Sequence, residues 1–489
     1  MKKIILVTLA GGLFFLAAGF NSEDKKWEKT FTRFDTEVRK NSKAYETLGE
    51  ATKTIGHRLT GSANGEKAEE YAYNLLKSYG FSDVTYQPFE VEAWMRDTVT
   101  LSIVPSSSDN FREVPVVSLA HSPVEANLKG EIVDVGNGLE EDFEALKDKI
   151  KGKIVLANIG LVGVTGKKNL HRSEKTALAI KYGADGIVMV NQAPGKILLT
   201  GTASVTGVII SIPAVCVSSD SGKEIRGWLK DEGPLQAHIE MHNISKKIKA
   251  RNVIATLKGK SDEKVIIGGH LDSWDLATGA IDNGIGSFAV MDIARAFKAL
   301  KIKPERTIQF VLFMGEEQGL LGSKHFVSEL KRTGAVDKVG YMMNLDMTNN
   351  PKGINAFGKA EMTDFFKGVG DAIHNIDPTY KNEHANRAGL HSDHQPFMLE
   401  GIPVAGLSGT LAPDVIQCYH ADCDNFDLVN KEQLENTVRI ASMCLFALSD
   451  AKKLEGQKLS DTKTRDYLIS QGLKQELVIG QEWRWGDAK

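Results

Sequence analysis

Residues 265–272 read VIIGGHLD, a run of β-branched side chains that ends in a histidine and an aspartate. Apolar residues on consecutive rather than alternate positions fit a strand covered on both faces. The pattern repeats downstream in TIQFVLFM (307–314), VGYMMNLDM (339–347) and IPVAGLS (402–408). Between the first two strands, residues 284–300 turn Phe288, Val290, Met291, Ile293, Ala294, Phe297 and Leu300 mostly inward, which predicts a helix. Further helices are predicted from about Gly319 and over 431–448. Strand–helix alternation of this kind predicts an α/β fold with a mixed, largely parallel sheet flanked by helices. Ligands of such sheets gather outside the carboxyl ends of the strands.

The ionisable residues fall on that edge. His270 and Asp272 end the first strand, Asp282 opens the next helix in GAIDNGIG (279–286), and Glu316 and Glu317 follow the second strand in GEEQG (315–319). Asp346 ends the third strand, and His420 lies in CYHADCD (418–424). Five segments thus deliver histidine or carboxylate to one place. A zinc ion takes ~four nitrogen or oxygen ligands, and a pair of ions ~3.5–4 Å apart needs a bridging carboxylate. Asp282 can bridge two zinc ions, with His270 and Asp346 completing one and Glu317 and His420 the other. Glu316 is then free to take a proton from water, and Asp272 is placed to orient the His270 imidazole. Taken singly, a histidine–x–aspartate at a strand end is more often structural, paired glutamates are usually a solvated face, and Asp346 could cap a helix. In order, on successive strand ends, they read as a metal site.

Upstream the texture differs. From about 113 to 240 short β-rich runs dominate, among them GEIVDVG (130–136), GKIVLANIG (152–160), GADGIVMVN (183–191) and SIPAVCVSS (211–219), with one helix over 173–182. No ligand-like spacing occurs there, so this stretch is assigned no chemistry, and neither His171 nor Asp220 is expected near the metals. Earlier still, GEKAEEYAYNLLKSY (65–79) puts Ala68, Tyr71, Leu75, Leu76 and Tyr79 on one helical face, closed by Gly80. After 454 the chain is polar with one weak helix, and EWRWGDAK (482–489) is unassigned.

At 489 residues the chain exceeds one ordinary core, and two domains are expected. With 60 Lys and Arg against 63 Asp and Glu, a formal charge of −3 and no basic stripe, nothing favours nucleic acid. Lys2 and Lys3 precede an apolar run from Ile4 to Phe20 that ends in small residues, as in a signal peptide; it falls short of the ~20 residues of a membrane span. Export permits disulfides. Cys418 and Cys423 are near enough to pair, although small buried thiols are an equal reading, as for Cys216 and Cys444.

These motifs resemble the co-catalytic zinc exopeptidase family, which includes bacterial leucyl aminopeptidases, glutamate carboxypeptidase II and carboxypeptidase Q. The resemblance spans nearly the whole mature chain. GHRLTGSANGEKAEEYAYNLLKSYGF (56–81) is similar to the family's N-terminal helix segment, and 130–219 to its inserted protease-associated domain. GGHLDSWD (268–275) is especially like carboxypeptidase Q, while GEEQGLLGS (315–323) and HSDHQPF (391–397) also fit the aminopeptidases. The resemblance implies His270, Asp282, Glu317, Asp346 and His420 as ligands of two zinc ions and Glu316 as base. It further implies Tyr419 as donor to the tetrahedral intermediate, Asp424 as partner of His420, and a cis peptide between Asp282 and Asn283. The run after Asp282 and the DN after Cys423 depart from the usual family residues, but neither touches a ligand.

The expected organisation is a signal peptide over 1–20, a discontinuous zinc peptidase domain over 27–110 and 245–453, a β-rich protease-associated domain over 111–244, and a tail over 454–489. The expected function is exported, periplasmic or secreted, hydrolysis of terminal peptide bonds by a carboxypeptidase Q-like dipeptidase or carboxypeptidase, or by an aminopeptidase. Expected partners are small peptides, with a homodimer as a permitted assembly and neither nucleic acid nor a stable membrane anchor after cleavage. A single-zinc glutaminyl cyclase or a silent receptor on the same fold is disfavoured because all five ligands are present, and a two-metal phosphatase because no phosphate-binding Arg or Ser stands near them. Glu383, His384, Arg387, His391, Asp393 and His394 are expected to line the pocket and offer both charge signs, leaving the recognised peptide end open.

Overall fold

The structure is a computed structural model that describes residues 22–106 and 110–486; the stretch 1–20, read as a signal peptide, lies outside the described residues. The strand Ser261–His270 sits in the middle of the peptidase sheet. Arg306–Phe313 pairs with it in parallel on one side, Val339–Asn344 on the other, and Val404–Ser408 continues in parallel beyond. Antiparallel strands flank this block, Gly353–Asn355 at one side and Leu235–Leu257 at the other. The sheet is mixed and largely parallel, as the apolar runs required.

Side-chain alternation divides the core in two. Val265 and Ile267 face a cluster built from the helices Ser22–Asn41, Ala44–Thr54, Ile285–Ala299, Thr363–Ile376 and Lys431–Asp450. Ile266, between them, faces the other side with Phe313, Phe326 and Phe397. Gly269 is needed where the strands converge, because a Cβ there would stand 2.4 Å from the Leu345 carbonyl oxygen.

A long ribbon leads out of this sheet. Val84–Pro105 pairs antiparallel with Leu235–Leu257 along nearly its whole length. The outer half of Leu235–Leu257 also pairs with Glu125–Asp134, which carries on through parallel Ile154–Asn158, Gly186–Val190 and Ala214–Val217. One helix was expected here, and there are three: Glu140–Ile150, Arg172–Lys181 and Ser219–Glu232. The first and last are charged and bury few apolar side chains, chiefly Phe143, Ile150 and Ile225, so they read as loop.

The stretch after 454 also differs from expectation. It holds two helices, Asp461–Ser470 and Lys474–Ile479, and buries Leu468, Leu473 and Leu477 against Phe326 and Phe397. Trp483 and Trp485 pack edge to face at 4.8 Å and close onto the same cluster. These contacts come from two short helices and the turn between them, so no single helical period revealed them. Among the described residues no helix is long and apolar enough to cross a membrane.

The helices on one face are tied by a buried cation. Arg439, 2% exposed, reaches Asp35 at 2.5 Å and Asp377 at 2.6 Å. Burial alone would raise Asp377, but the bonds from Thr379 and Arg439 hold it down at about 2. Arg439→Met should therefore destabilise the protein by about 3 kcal/mol, the lower end for a broken buried pair, since Arg39 still reaches both carboxylates. A group depressed on folding stabilises above its unfolded value, ~3.9 for Asp, and loses that contribution as pH falls. Acid unfolding of the variant should accordingly begin at higher pH. Urea titrations from pH 6 to 2 check both effects; an unchanged midpoint would show that the triad contributes nothing.

Candidate metal centre and active-site cavity

The strand ends and their following turns converge as the alternation implied. His270 ends its strand, Glu316 and Glu317 follow Phe313 within three and four residues, and Asp346 lies two residues past Asn344. Asp282 stands at the mouth of the helix Ile285–Ala299, where its backbone leaves helical geometry and the Asp282–Asn283 peptide is cis. Its two carboxylate oxygens face two different histidines. Oδ1 lies 3.2 Å from His270 Nε2, and Oδ2 lies 3.0 Å from His420 Nε2. Asp346 Oδ1 is 3.5 Å from His270 Nε2, and Glu317 Oε2 is 3.0 Å from His420 Nε2. Glu316 Oε2 is set back at 3.9 Å from His270 Nε2.

This cluster is buried and rich in carboxylate. Burial, reinforced by Asp346 and Glu317, pushes Glu316 well above the ordinary carboxylate range, and burial raises Glu317 as well. Burial would raise Asp282 too, but both histidines hold it low. Burial would lower His270, yet Glu316 and Asp346 carry it well above its usual value; Glu317 raises His420 against the same burial. Glu317 Oε1 is buried with no protein partner. Two imidazoles and several crowded carboxylates, one of them spanning both rings, fit a pair of divalent cations by donor type. Three donors around His270, Asp282 and Glu317, and three around His270, Glu316 and Asp346, lie close enough to hold an ion.

The ring partners differ in part from expectation. The nearest acceptor for His270 Nδ1 is the main-chain carbonyl of Asp272 at 3.1 Å; the Asp272 carboxylate is 3.7 Å away and instead accepts the Glu316 N–H. Asp424 does not meet the His420 ring. It accepts the N–H groups of Ile281 and Asp282 at 2.7 and 3.0 Å, which fixes the turn that carries Asp282, and burial raises it to about 7. His420 Nδ1 faces the Thr200 carbonyl at 3.2 Å, and the Thr200 N–H returns a bond to the His420 carbonyl. Cys418 and Cys423 are joined in a disulfide that closes the loop around His420, while Cys216 and Cys444 are buried thiols. Tyr419 stacks on the His420 ring at 3.9 Å.

A cavity of about 580 Å³ opens over the cluster and includes Tyr419 in its wall. Of the six loop residues expected to line it, His391 and His394 do so. Asp393 is buried beneath, and Glu383 is bonded through its N–H to the Lys352 carbonyl. Residues 252–445 match the family described as Peptidase family M28, and residues 115–225 match the PA domain. Residues 252–445 thus carry a peptidase family M28 domain. The chain is a metallopeptidase whose mixed α/β fold carries a PA domain insertion. It is similar to carboxypeptidase Q of Mus musculus, 24% identical over 421 residues that cover 84% of this chain and 87% of that protein. Leucine aminopeptidase 2 of Trichophyton rubrum is 27% identical over 72% of this chain and 68% of its own. Among solved structures, the Peptidase M28 precursor of Shewanella amazonensis SB2B superposes with a TM-score of 0.75 at 26% identity, covering 89% of this chain and 99% of that one. The aminopeptidase of Aneurinibacillus sp. strain AM-1 gives 0.65 at 25% identity, over 89% and 98%.

Two features of this M28 site were not foreseen. Arg58, fully buried, donates to the carbonyls of Leu271, Thr278 and Gly279 and so pins the loop between His270 and Asp282. Its signal lay in the quoted GHRLTGS run, where a charge stood among small residues. The insertion, assigned no chemistry from sequence, sends His171, Arg172, Ser173 and Glu174 to the cavity wall. His171 stacks on His391 rather than joining the metal cluster, and Asp220 lies in the first turn of the helix Ser219–Glu232, bonded by Lys223.

Proposed function

We propose that the chain is an exported two-zinc exopeptidase acting on small peptides. The observation that carries this reading is Asp282, set between two histidines with one oxygen toward each. In this reading His270 and Asp346 would hold one ion and Glu317 and His420 the other, with Asp282 contributing to both. Zinc bound there supplies Lewis acidity to a carbonyl and lowers the pKa of water towards ~7. Glu316 takes the proton of the attacking water as the new C–O bond forms, then gives it to the nitrogen as the C–N bond breaks. The Tyr419 hydroxyl donates to the oxygen that gains charge at the tetrahedral carbon. Asp272 holds the turn through the Glu316 N–H and turns its own carbonyl to His270.

The cavity is sized for a short peptide rather than a folded chain. The N-terminal run and the disulfide at Cys418–Cys423 both favour an oxidising, extracytoplasmic location. We assign the peptidase unit to 27–110 and 245–453 and the inserted unit to 111–244, with the ribbon strand Leu235–Leu257 running from one to the other. The test is a release assay on the zinc-loaded full chain, with short peptides free at both ends, blocked at one end or blocked at both. Free amino acids should appear only when a terminus is open, at two zinc ions per chain by elemental analysis. Internal cleavage of doubly blocked peptides would overturn the exopeptidase reading.

A further inference from the structure

His420 is carried by a loop, and its backbone is left-handed at φ +55. A residue other than glycine keeps that conformation only where its surroundings fix it. Part of the fixing comes from the insertion. Thr200 donates its N–H to the His420 carbonyl at 2.9 Å and offers its own carbonyl to His420 Nδ1 at 3.2 Å, while Leu199 forms a strand-like bridge with Ala421 beside them. Thr200 is fully buried and is held in turn by a guanidinium. Arg96, from the ribbon strand Val84–Pro105, donates from Nη2 to Thr200 Oγ1 at 2.9 Å and from Nη1 to the Ser118 carbonyl at 2.6 Å. Its Nε and Nη2 also grip the two oxygens of Asp275, each at 2.8 Å, in the loop between His270 and Asp282. Burial would raise Asp275, yet Arg96 holds it below the ordinary carboxylate value. One side chain thus ties the loop after His270 to the segment of the insertion that meets His420.

The two nitrogens of this imidazole have opposite tasks. An ion bound at Nε2 leaves the ring proton on Nδ1, which then needs an acceptor, and the Thr200 carbonyl is placed to be one. Arg172 Nη2 stands 2.7 Å from the same Nδ1. A guanidinium has donors only, so Arg172 favours the other tautomer, with the proton on Nε2 where the ion would bind. Arg172 is buried in a space kept open by Gly201, where a Cβ would stand 1.9 Å from its Nε. The balance between tautomers therefore turns on how firmly the Thr200 carbonyl is held. We infer that Arg96 is a positioning residue for the ion at His420: by fixing Thr200 it keeps an acceptor against Nδ1 and selects the tautomer that binds zinc through Nε2. This rests on the two-zinc reading above. The insertion then takes part in metal binding without supplying a ligand.

The experiment is a zinc titration of the stripped full chain against a competing chelator, which resolves two stepwise affinities without any turnover. His420→Asn identifies the step that belongs to His420, and His270→Asn identifies the other. Arg96→Met should weaken the His420 step by about 10- to 100-fold, the usual cost of losing a partner behind a ligand, and leave the other step unchanged. Thr200→Val removes only the hydroxyl that Arg96 reaches and keeps the shape of the side chain, so it remains informative if Arg96→Met folds poorly. It should weaken the same step by about 2- to 10-fold, the range of one hydrogen bond. Saturating zinc should return kcat of both variants to near the wild-type value, because the substitutions change occupancy and leave the chemistry alone. Equal weakening of both steps would make Arg96 a general structural residue and overturn the inference. Unchanged affinities in either variant overturn it as well, as does a rate that stays low at saturating zinc. A wild type that takes up fewer than two zinc ions would refute the two-zinc reading itself, and this inference with it.

Discussion

Glu316→Gln is expected to lose about 100- to 10,000-fold in kcat while retaining its zinc and its fold, the span that a positioned proton acceptor supplies. The amide preserves the shape of the side chain and removes its ability to take a proton. Glu316 is set further from His270 than Asp282 or Asp346 is, at 3.9 Å against 3.2 and 3.5 Å. Its backbone is held by Asp272, so the substitution leaves the anchoring bond in place. Burial and neighbouring carboxylates raise its affinity for protons, the property required of a base that must also return the proton to a leaving amine. The measurement is kcat with metal content on the same preparation. Retention of more than half the rate would make Glu316 structural. Loss of one zinc equivalent would make it a ligand, an outcome that its proximity to His270 and Asp346 makes worth measuring.

The sheet and the histidine–carboxylate cluster were legible because both rest on short, strong signals. Consecutive apolar residues bounded by glycine specify a covered strand, and a titratable residue at the end of each such strand has one edge to occupy. What escaped was carried by weaker patterns. The helix Ser22–Asn41 buries Trp27, Phe31, Phe34 and Val38 at helical spacing, but its charged surface continued the polar stretch after the apolar N-terminus and hid the stripe. The strand Leu235–Leu257 is half exposed over its middle, so its polar positions masked a ribbon that joins both sheets. Arg172 could not be found by spacing at all. Its neighbours Thr200, Gly201 and His420 are 28 to 248 residues away in sequence, and only the folded ribbon brings them together. The partner of His420 was misplaced for the same reason: Asp424 is near in sequence, but the loop turns it to the Ile281 and Asp282 amides and gives the ring to a carbonyl of the insertion.

Removing zinc is expected to abolish turnover, and zinc should restore it; full activity with clearly less than one zinc per chain would refute the metallopeptidase mechanism proposed above. The same treatment should change stability in a pH-dependent way. Glu316 and Glu317 bind protons more tightly in the folded cluster than an unfolded glutamate does, at ~4.3. His270 and His420 are likewise raised above the ~6.5 of an unfolded histidine. A group raised on folding contributes stability below its unfolded value and loses that contribution as pH rises through its folded value. Across pH 5 to 8 all four therefore weaken the stripped protein as pH rises, the glutamates from above ~4.3 and the histidines only from above ~6.5. Asp282, held low, has the opposite sign, but it acts below pH ~4 and leaves this window untouched. Bound cations replace those protons and remove the repulsion, and a ligand at 100 times its Kd adds about 2.7 kcal/mol to the folded state. Thermal unfolding of stripped and zinc-loaded protein across pH 5 to 8 should give two curves that diverge upward in pH, the loaded one nearly level. Parallel curves would mean that the carboxylate cluster is not where the metal binds, because ions held elsewhere would leave these five side chains to titrate as before.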